Sequence, residues 1–146
     1  QLLKLPNIIG IKDSSANMKR IAHLCCLRDA REDFLVYTGT DDCLLPALAA
    51  GVDGSMTAFA ACAPSLVAAV YATYARGDYP AAEHYQSVMM PLLKAADALP
   101  FPLGYKLVAE AYHGLTMTRS WRQMADEATV RAAGERIAAL LQQARA

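Results

Sequence analysis

Three segments in the first half of the chain share one pattern, a short apolar run, a polar turn and then a stretch with helical periodicity. Apolar positions about three or four residues apart indicate one face of a helix, and short β-branched runs are typical of strands. The predicted strands are Asn7–Ile11, Phe34–Tyr37 and a short one around Asp53–Ala58. The helices that follow them are predicted at Met18–Cys25, at Cys43–Ala50 and from about Pro64 to Gly77.

Beyond Gly77 the pattern predicts helices only. These cover Asp78–Ala98, Leu103–His113 and a last stretch with an apolar stripe formed by Val130, Ala133, Ile137, Leu140, Leu141 and Ala144. Pro91 is expected to interrupt the first of them, Leu99–Pro102 forms a rigid break, and Gly114 closes the second.

Strands that alternate with helices pair in parallel through crossover connections. Three parallel strands alone would leave two unpaired edges, and a (β/α)8 barrel needs about 250 residues. We therefore predict an α/β fold that is the C-terminal part of a TIM (β/α)8 barrel. Residues 1–77 would form its last three βα units, and residues 78–146 a C-terminal helical extension.

Composition narrows the function classes. Hydrophobic residues make up 55% and charged residues 19% of the chain, which indicates a folded core rather than disorder. Lys and Arg total 14, as do Asp and Glu, and no basic cluster is present, so a nucleic-acid partner is not expected. No apolar run approaches the roughly 18 residues of a membrane span, so we expect no membrane partner either.

The cysteines and histidines do not have the spacing of a metal site or a disulfide framework. Cys25 and Cys26 are adjacent, Cys43 and Cys62 stand alone, and the histidines are far apart. We expect reduced, structural cysteines in a cytoplasmic protein that needs no metal and no cofactor.

Lys12 is the candidate nucleophile. It shares a face of the first predicted strand with Ile8 and Gly10, since side chains alternate along a strand, and it lies at the carboxyl end, where barrel enzymes carry catalytic groups. Gly10 would leave space beneath it for a long side chain or a ligand. Partial desolvation by apolar neighbours would favour the neutral amine, which attacks a ketone and forms an iminium electron sink. The alternative is a lysine that ends a strand and points into solvent.

Three motifs follow one another along the chain: Asn7-Ile-Ile-Gly-Ile-Lys-Asp-Ser-Ser15, Tyr37-Thr-Gly-Thr-Asp-Asp42 and Ala50-Gly-Val-Asp-Gly-Ser-Met-Thr57. Their order and separations resemble the dihydrodipicolinate synthase/N-acetylneuraminate lyase family of class I, pyruvate-type aldolases. The resemblance extends over roughly residues 5–110. It implies that the strands are numbers six to eight of the barrel and that the full-length protein is a homo-oligomer, usually a tetramer.

Residue by residue, the resemblance implies a keto-acid site around Lys12. Lys12 matches the Schiff-base lysine, and Gly39 matches the glycine that lines the pocket after strand seven. Met56 takes the place in strand eight where a main-chain carbonyl lies near the bound keto acid. Ser14 matches a hydroxyl that contacts substrate in the sugar-acid lyases.

Asp41 and Asp42 match the paired acids that hold the sugar chain in the neuraminate lyases. The alternative is N-capping, because carboxylates accept hydrogen bonds from the free N–H groups at the positive end of a helix. One of the two residues could serve both purposes.

Several positions depart from the family pattern. Thr40 stands where the lysine-biosynthetic synthases often carry an acid, and Ala58 where the neuraminate lyases carry a hydroxyl. No function is predicted for Arg119, because the family's proline-rich segment is absent around it. Tyr105 and Lys106 are interpreted as packing and surface residues.

The family's proton-shuttling tyrosine and its carboxylate-binding hydroxyl pair belong to segments upstream of these motifs, so little turnover is expected of these 146 residues alone. The predicted function is a Schiff-base lyase or aldolase acting on pyruvate or another 2-keto acid, with a hydroxylated keto-acid aldolase favoured. The alternatives are dihydrodipicolinate synthase proper and a non-catalytic relative that binds keto acids.

Overall fold

The computed structural model of the chain describes residues 2–117 and 125–145; the position of Arg119, discussed above, lies outside them. The strands are β1 (Gly10–Asp13), β2 (Leu35–Thr38) and β3 (Gly54–Ser55). The α-helices are α1 (Met18–Cys25), α2 (Leu44–Ala49), α3 (Ala58–Cys62), α4 (Pro64–Ala75), α5 (Tyr79–Asp97), α6 (Leu103–His113) and α7 (Glu127–Arg145). Short 3₁₀ turns cover Leu2–Lys4 and Cys26–Asp29.

The described residues contain one sheet, in which β1, β2 and β3 lie side by side and all pairs are parallel, as predicted. The register places Lys12 beside Tyr37 and Asp13 beside Thr38. Because side chains alternate, Lys12 lies on one face of the sheet, and Asp13 and the buried Val36 lie on the other, which packs against the helices.

The first strand lies later in the chain than predicted. The pairing of β1 with β2 begins at the hydrogen bond from Leu35 N to Ile9 O (2.9 Å) and ends at the one from Gly39 N to Asp13 O (2.6 Å). The residues of β2 that are available as partners therefore set the limits of β1. Lys12 is therefore inside the strand rather than after it. Gly10 does not leave an open space either, because a Cβ at this position would lie 2.5 Å from the Leu35 carbonyl oxygen.

The third strand is much shorter than the predicted Asp53–Ala58. Met56 N still donates to Thr38 O (2.9 Å), but the hydroxyl of Thr57 then accepts from Ala60 N and caps α3, a helix that the hydrophobic pattern did not predict. The carboxylate of Asp53 accepts from Val36 N (2.7 Å) and pairs with Arg28, which ties the entry of β3 to β2.

Residues from both halves of the chain form one hydrophobic core, in which Val36, Phe59, Met89, Val108 and Ile137 are fully buried. The division of the chain at Gly77 therefore stays a prediction.

Helix α5 is continuous through Pro91, which is exposed on its surface, so the predicted interruption is wrong. Gly114 ends α6, as predicted, and adopts a left-handed conformation (φ 66°). The predicted stripe of α7 is also confirmed, since Val130, Ile137 and Leu141 are buried.

Each of the cysteines is a free thiol; Cys62 is buried and Cys26 is exposed. Within residues 2–117 and 125–145, no helix is both long and apolar enough to cross a membrane.

A close approach of two helices joins the end of α5 to the start of α6. A Cβ at Gly104 would collide with the Ala96 carbonyl oxygen and lie 2.6 Å from its carbon. Only a glycine allows the two helix backbones to come this near, so Gly104 sets the position of residues that flank the contact, including Asp97 and Tyr105.

Gly104→Ala should therefore destabilise the protein, by about 1–3 kcal/mol, because the backbone of α5 cannot move away without disrupting the core. The matched control is Gly134→Ala in α7, where a Cβ would meet nothing within 4 Å. That variant should be stabilised by up to about 1 kcal/mol, since alanine favours a helix over glycine. Urea unfolding of both variants measures the difference, and equal midpoints would contradict the tight contact at Gly104.

Candidate active site

The side chains of Lys12 and Ser14 pack against the backbone of Gly39, just beyond the carboxyl end of β2. A Cβ at Gly39 would lie 2.5 Å from Lys12 Cε and 2.9 Å from Ser14 Cβ. Two of the residues implied by the family resemblance, Lys12 and Ser14, thus lie against a third, Gly39. Any larger residue at position 39 would displace the lysine.

Asp13 fixes the turn that carries Ser14. Its buried carboxylate accepts from Ser15 N (2.8 Å) and pairs with Arg20 of α1. Burial alone would raise the pKa of Asp13, but the hydrogen bonds from Ser15 and the charge of Arg20 outweigh it and lower the pKa. Asp13 therefore remains an anion that links the end of β1 to α1.

Lys12 opens onto a cleft of about 370 Å³ at the carboxyl ends of the strands. The lining residues are Lys12, Gly39, Thr40, Asp41, Asp42, Ala58, Leu93, Asp97, Phe101 and Tyr105. The side chain of Lys12 is exposed on the sheet face that the described helices leave open, so its expected desolvation by the apolar lining of a barrel stays a prediction. The amine forms no hydrogen bond or ion pair with any residue of the described part of the chain.

Asp41 and Asp42 are neighbours in sequence but differ in environment. Asp41 is 7% exposed, and its Oδ2 accepts from Phe59 N (3.2 Å) in the first turn of α3. The predicted capping role therefore exists, but it serves α3 rather than the helix that follows Asp42. Asp42 is exposed and lines the cleft.

Burial raises the pKa of Asp41, and the negative charges of Asp42 and Asp97 raise it further. Hydrogen bonds from the Thr57 hydroxyl and the Phe59 amide lower this pKa and offset part of the increase. Its Oδ1 is buried without a hydrogen bond of normal geometry to any described residue. One oxygen of this carboxylate is therefore held by the fold, and the other is left without a partner.

Gln86 of α5 holds the turn that carries both acids. Its Nε2 donates to Asp41 O (3.2 Å), and its Oε1 accepts from Leu45 N (3.1 Å). The sequence contained a signal for this contact, because Gln86 interrupts the apolar face that Ala82 and Met89 form on the same helix. A polar residue on a buried stripe indicates a specific hydrogen bond.

Asp97 and Tyr105 are cleft residues that the motifs did not reveal. Tyr105 Oη donates to Asp97 Oδ1 (2.8 Å), and its ring lies edge-on to Phe101 with centroids 5.5 Å apart. Burial, together with the hydrogen bond to Asp97 and the negative charge of that residue, raises the pKa of Tyr105, so the phenol stays protonated. The interpretation of Tyr105 as a packing residue misses its place in the cleft; the signal was the glycine at position 104, inside a predicted helix.

Met56 lies apart from this cleft. It is 58% exposed and is not among the lining residues, although Met56 N donates to Thr38 O at the end of β2. Its predicted role depends on its main-chain carbonyl and stays a prediction, as do the roles of Ser14, Gly39, Asp41 and Asp42.

The acids of the cleft are not arranged as metal ligands. No group of three or more His, Cys, Asp or Glu side chains in the described ranges could hold a metal ion.

Comparison with known proteins assigns the family. The sequence profile of the dihydrodipicolinate synthetase family matches residues 1–143. The chain belongs to this family. A curated relative, the 4-hydroxy-tetrahydrodipicolinate synthase of Listeria welshimeri, is 34% identical over 102 residues, which are 70% of this chain and 34% of that protein.

Solved structures agree with the assignment. A monomeric variant of dihydrodipicolinate synthase superposes with a TM-score of 0.84 at 26% identity, over 99% of this chain and 47% of that one. YagE from E. coli K12 is a prophage protein solved in complex with pyruvate, and it has a TM-score of 0.77 over 95% of this chain and 47% of its own. Its sequence is 22% identical to this chain, so the likeness concerns the fold alone. The chain thus spans about a third of its curated relative and about half of these solved structures.

Asp41→Asn should make the protein more stable at neutral pH, because asparagine keeps an acceptor for Phe59 N and carries no buried charge. A carboxyl whose pKa is raised on folding binds its proton more tightly in the folded state, so stability falls as pH rises from the ordinary value of 3.8 through the raised pKa. The advantage of the variant should disappear below about pH 4.

Urea midpoints at both pH values measure this difference, with the exposed Asp29→Asn as the matched control. If the stability difference between Asp41→Asn and wild type is the same at both pH values, the raised pKa of Asp41 is contradicted.

Proposed function

We propose that the intact protein is a Schiff-base-forming lyase or aldolase that acts on pyruvate or another 2-keto acid. The observation that carries the proposal is the amine of Lys12, which is free of partners in the described part of the chain and opens onto a cleft against Gly39. Family membership supports a keto acid as the partner of this amine.

In this proposal Lys12 Nζ attacks the C2 carbonyl carbon of the keto acid. The carbonyl oxygen leaves as water after two proton transfers, and an iminium joins Nζ to C2. Loss of a proton from C3 gives an enamine, which forms a C–C bond with an aldehyde; in the reverse direction, cleavage of that bond leaves its electron pair in the enamine. Ser14, Gly39 and the Met56 carbonyl would contact the keto acid, and Asp42 and Asp41 the remainder of the substrate.

The chain would supply strands six to eight of the barrel, and the rest of the longer protein would supply the proton shuttle and the carboxylate-binding hydroxyls. This agrees with the share of the relatives that the chain covers. The homo-oligomeric state expected from the family belongs to the same proposal.

A hydroxylated keto-acid aldolase is the activity we favour within this class, because the exposed Asp42 lines the cleft and offers an acceptor for substrate hydroxyls. The second candidate is 4-hydroxy-tetrahydrodipicolinate synthase, which is favoured by the name of the curated relative from Listeria welshimeri. Assays of the intact protein with pyruvate and either hydroxylated aldehydes or aspartate semialdehyde separate the two.

Borohydride reduction of the intact protein in the presence of pyruvate should attach the keto acid covalently to Lys12, as read by peptide mass spectrometry. Lys12→Ala should abolish the adduct and the activity, because no other described amine lines the cleft. The control is Lys19→Ala, which removes an exposed lysine of α1. An adduct at another lysine, or turnover by Lys12→Ala, would refute the proposed mechanism.

A further inference from the structure

The pair formed by Asp97 and Tyr105 lies in the same cleft as Lys12 but comes from the helical extension rather than from the strands. The contact of Gly104 with Ala96 brings the end of α5 and the start of α6 together, and this places Asp97 beside Tyr105. Their hydrogen bond of 2.8 Å fixes the orientation of both side chains.

The hydrogen bond also determines what the pair offers a ligand. The Tyr105 proton is directed to Asp97 Oδ1, so the Tyr105 oxygen is left as an acceptor, and Asp97 Oδ2 is a second one. Asp97 is exposed, so this carboxylate is accessible from the cleft. A ligand group at this end of the cleft therefore has to donate hydrogen bonds.

Asp41 and Asp42 give a second, independent indication of a ligand. Asp41 lines the cleft, is 7% exposed, and has a buried Oδ1 without a hydrogen bond among the residues that the structure describes. Asp42 adds an exposed carboxylate to the same lining. Three carboxylates against the single amine of Lys12 give the described cleft an excess of negative charge, which repels a phosphate.

We propose that Asp97 and Tyr105, together with Asp42, recognise the hydroxyl groups of the aldehyde partner and select an uncharged, hydroxylated aldehyde over a phosphorylated one. The inference rests on the proposed function, since Lys12 must first hold the keto acid as an enamine. The enamine C3 then bonds to the aldehyde carbon, and the aldehyde oxygen takes up a proton. Asp97 and Tyr105 determine specificity here and take no part in the bond changes.

The test uses the intact protein with pyruvate and measures kcat/KM for D-glyceraldehyde and for D-glyceraldehyde 3-phosphate. Wild type should prefer the uncharged aldehyde. Asp97→Asn and Tyr105→Phe should each lower kcat/KM for D-glyceraldehyde by about tenfold or more, mainly through KM, since each weakens hydrogen bonding to a charged group. Asp97→Asn should also lower the ratio of kcat/KM for D-glyceraldehyde to kcat/KM for D-glyceraldehyde 3-phosphate, because it removes a negative charge that repels phosphate.

The matched controls are Asp29→Asn and Tyr79→Phe. Asp29 is exposed in the 3₁₀ turn after α1, and Tyr79 lies about 27 Å from Asp97 along α5, at about 1.5 Å per residue. Both controls should keep the wild-type ratio of the two kcat/KM values.

A wild-type preference for the phosphorylated aldehyde would overturn the inference without any variant. The inference would also be overturned if both cleft variants keep the wild-type ratio of the two kcat/KM values while borohydride still traps pyruvate on Lys12. Failure to trap pyruvate on wild type would instead refute the proposed function, and this inference with it.

Discussion

The close contact between the end of β1 and the backbone of Gly39 is the constraint on which the candidate site depends. Gly39 N donates to Asp13 O, and the stem of Lys12 occupies the space where any other residue would carry a Cβ. Parallel pairing of β1 with β2 brings the two carboxyl ends to one edge of the sheet. The lysine is therefore positioned by backbone hydrogen bonds and by the absence of one side chain, and it forms no salt bridge with a described residue.

Helices α5 and α6 complete the same cleft from the opposite side. Gly104 lets α6 approach α5, and Gln86 reaches from α5 to the turn that carries Asp41 and Asp42. Polar groups of the cleft are thus fixed by glycines and buried amides that are remote in sequence. A substitution at Gln86 or Gly104 would alter the cleft although neither residue lines it.

Those parts of the structure that depend on local periodicity could be predicted from the sequence. The buried stripe of α7, the left-handed Gly114 and the parallel order of the strands follow from hydrophobic spacing and turn chemistry. The limits of β1 could not, because they depend on where β2 offers partners. The continuity of α5 through Pro91 was missed because a proline inside a helix usually kinks or ends it.

The candidate site was predictable to the extent that motifs marked it. Lys12, Gly39 and Asp42 line one cleft, whereas Met56 lies apart from it. Asp41 also lines the cleft, but one of its carboxylate oxygens accepts a hydrogen bond from the first turn of α3. Asp97 and Tyr105 had no motif, since they meet only through a helix contact. Lys12 is exposed in the described part of the chain, as the alternative of a lysine that points into solvent allowed, and its desolvation depends on what covers the sheet face rather than on its neighbours in sequence.

The most direct test of the central claim is a crystal structure of the intact protein with pyruvate bound. We expect continuous electron density from Lys12 Nζ to C2 of the keto acid, with the adduct lying against the Gly39 backbone. Pyruvate held without a covalent bond, or bound away from the cleft between Gly39 and Tyr105, would contradict the assignment of Lys12 as the Schiff-base nucleophile.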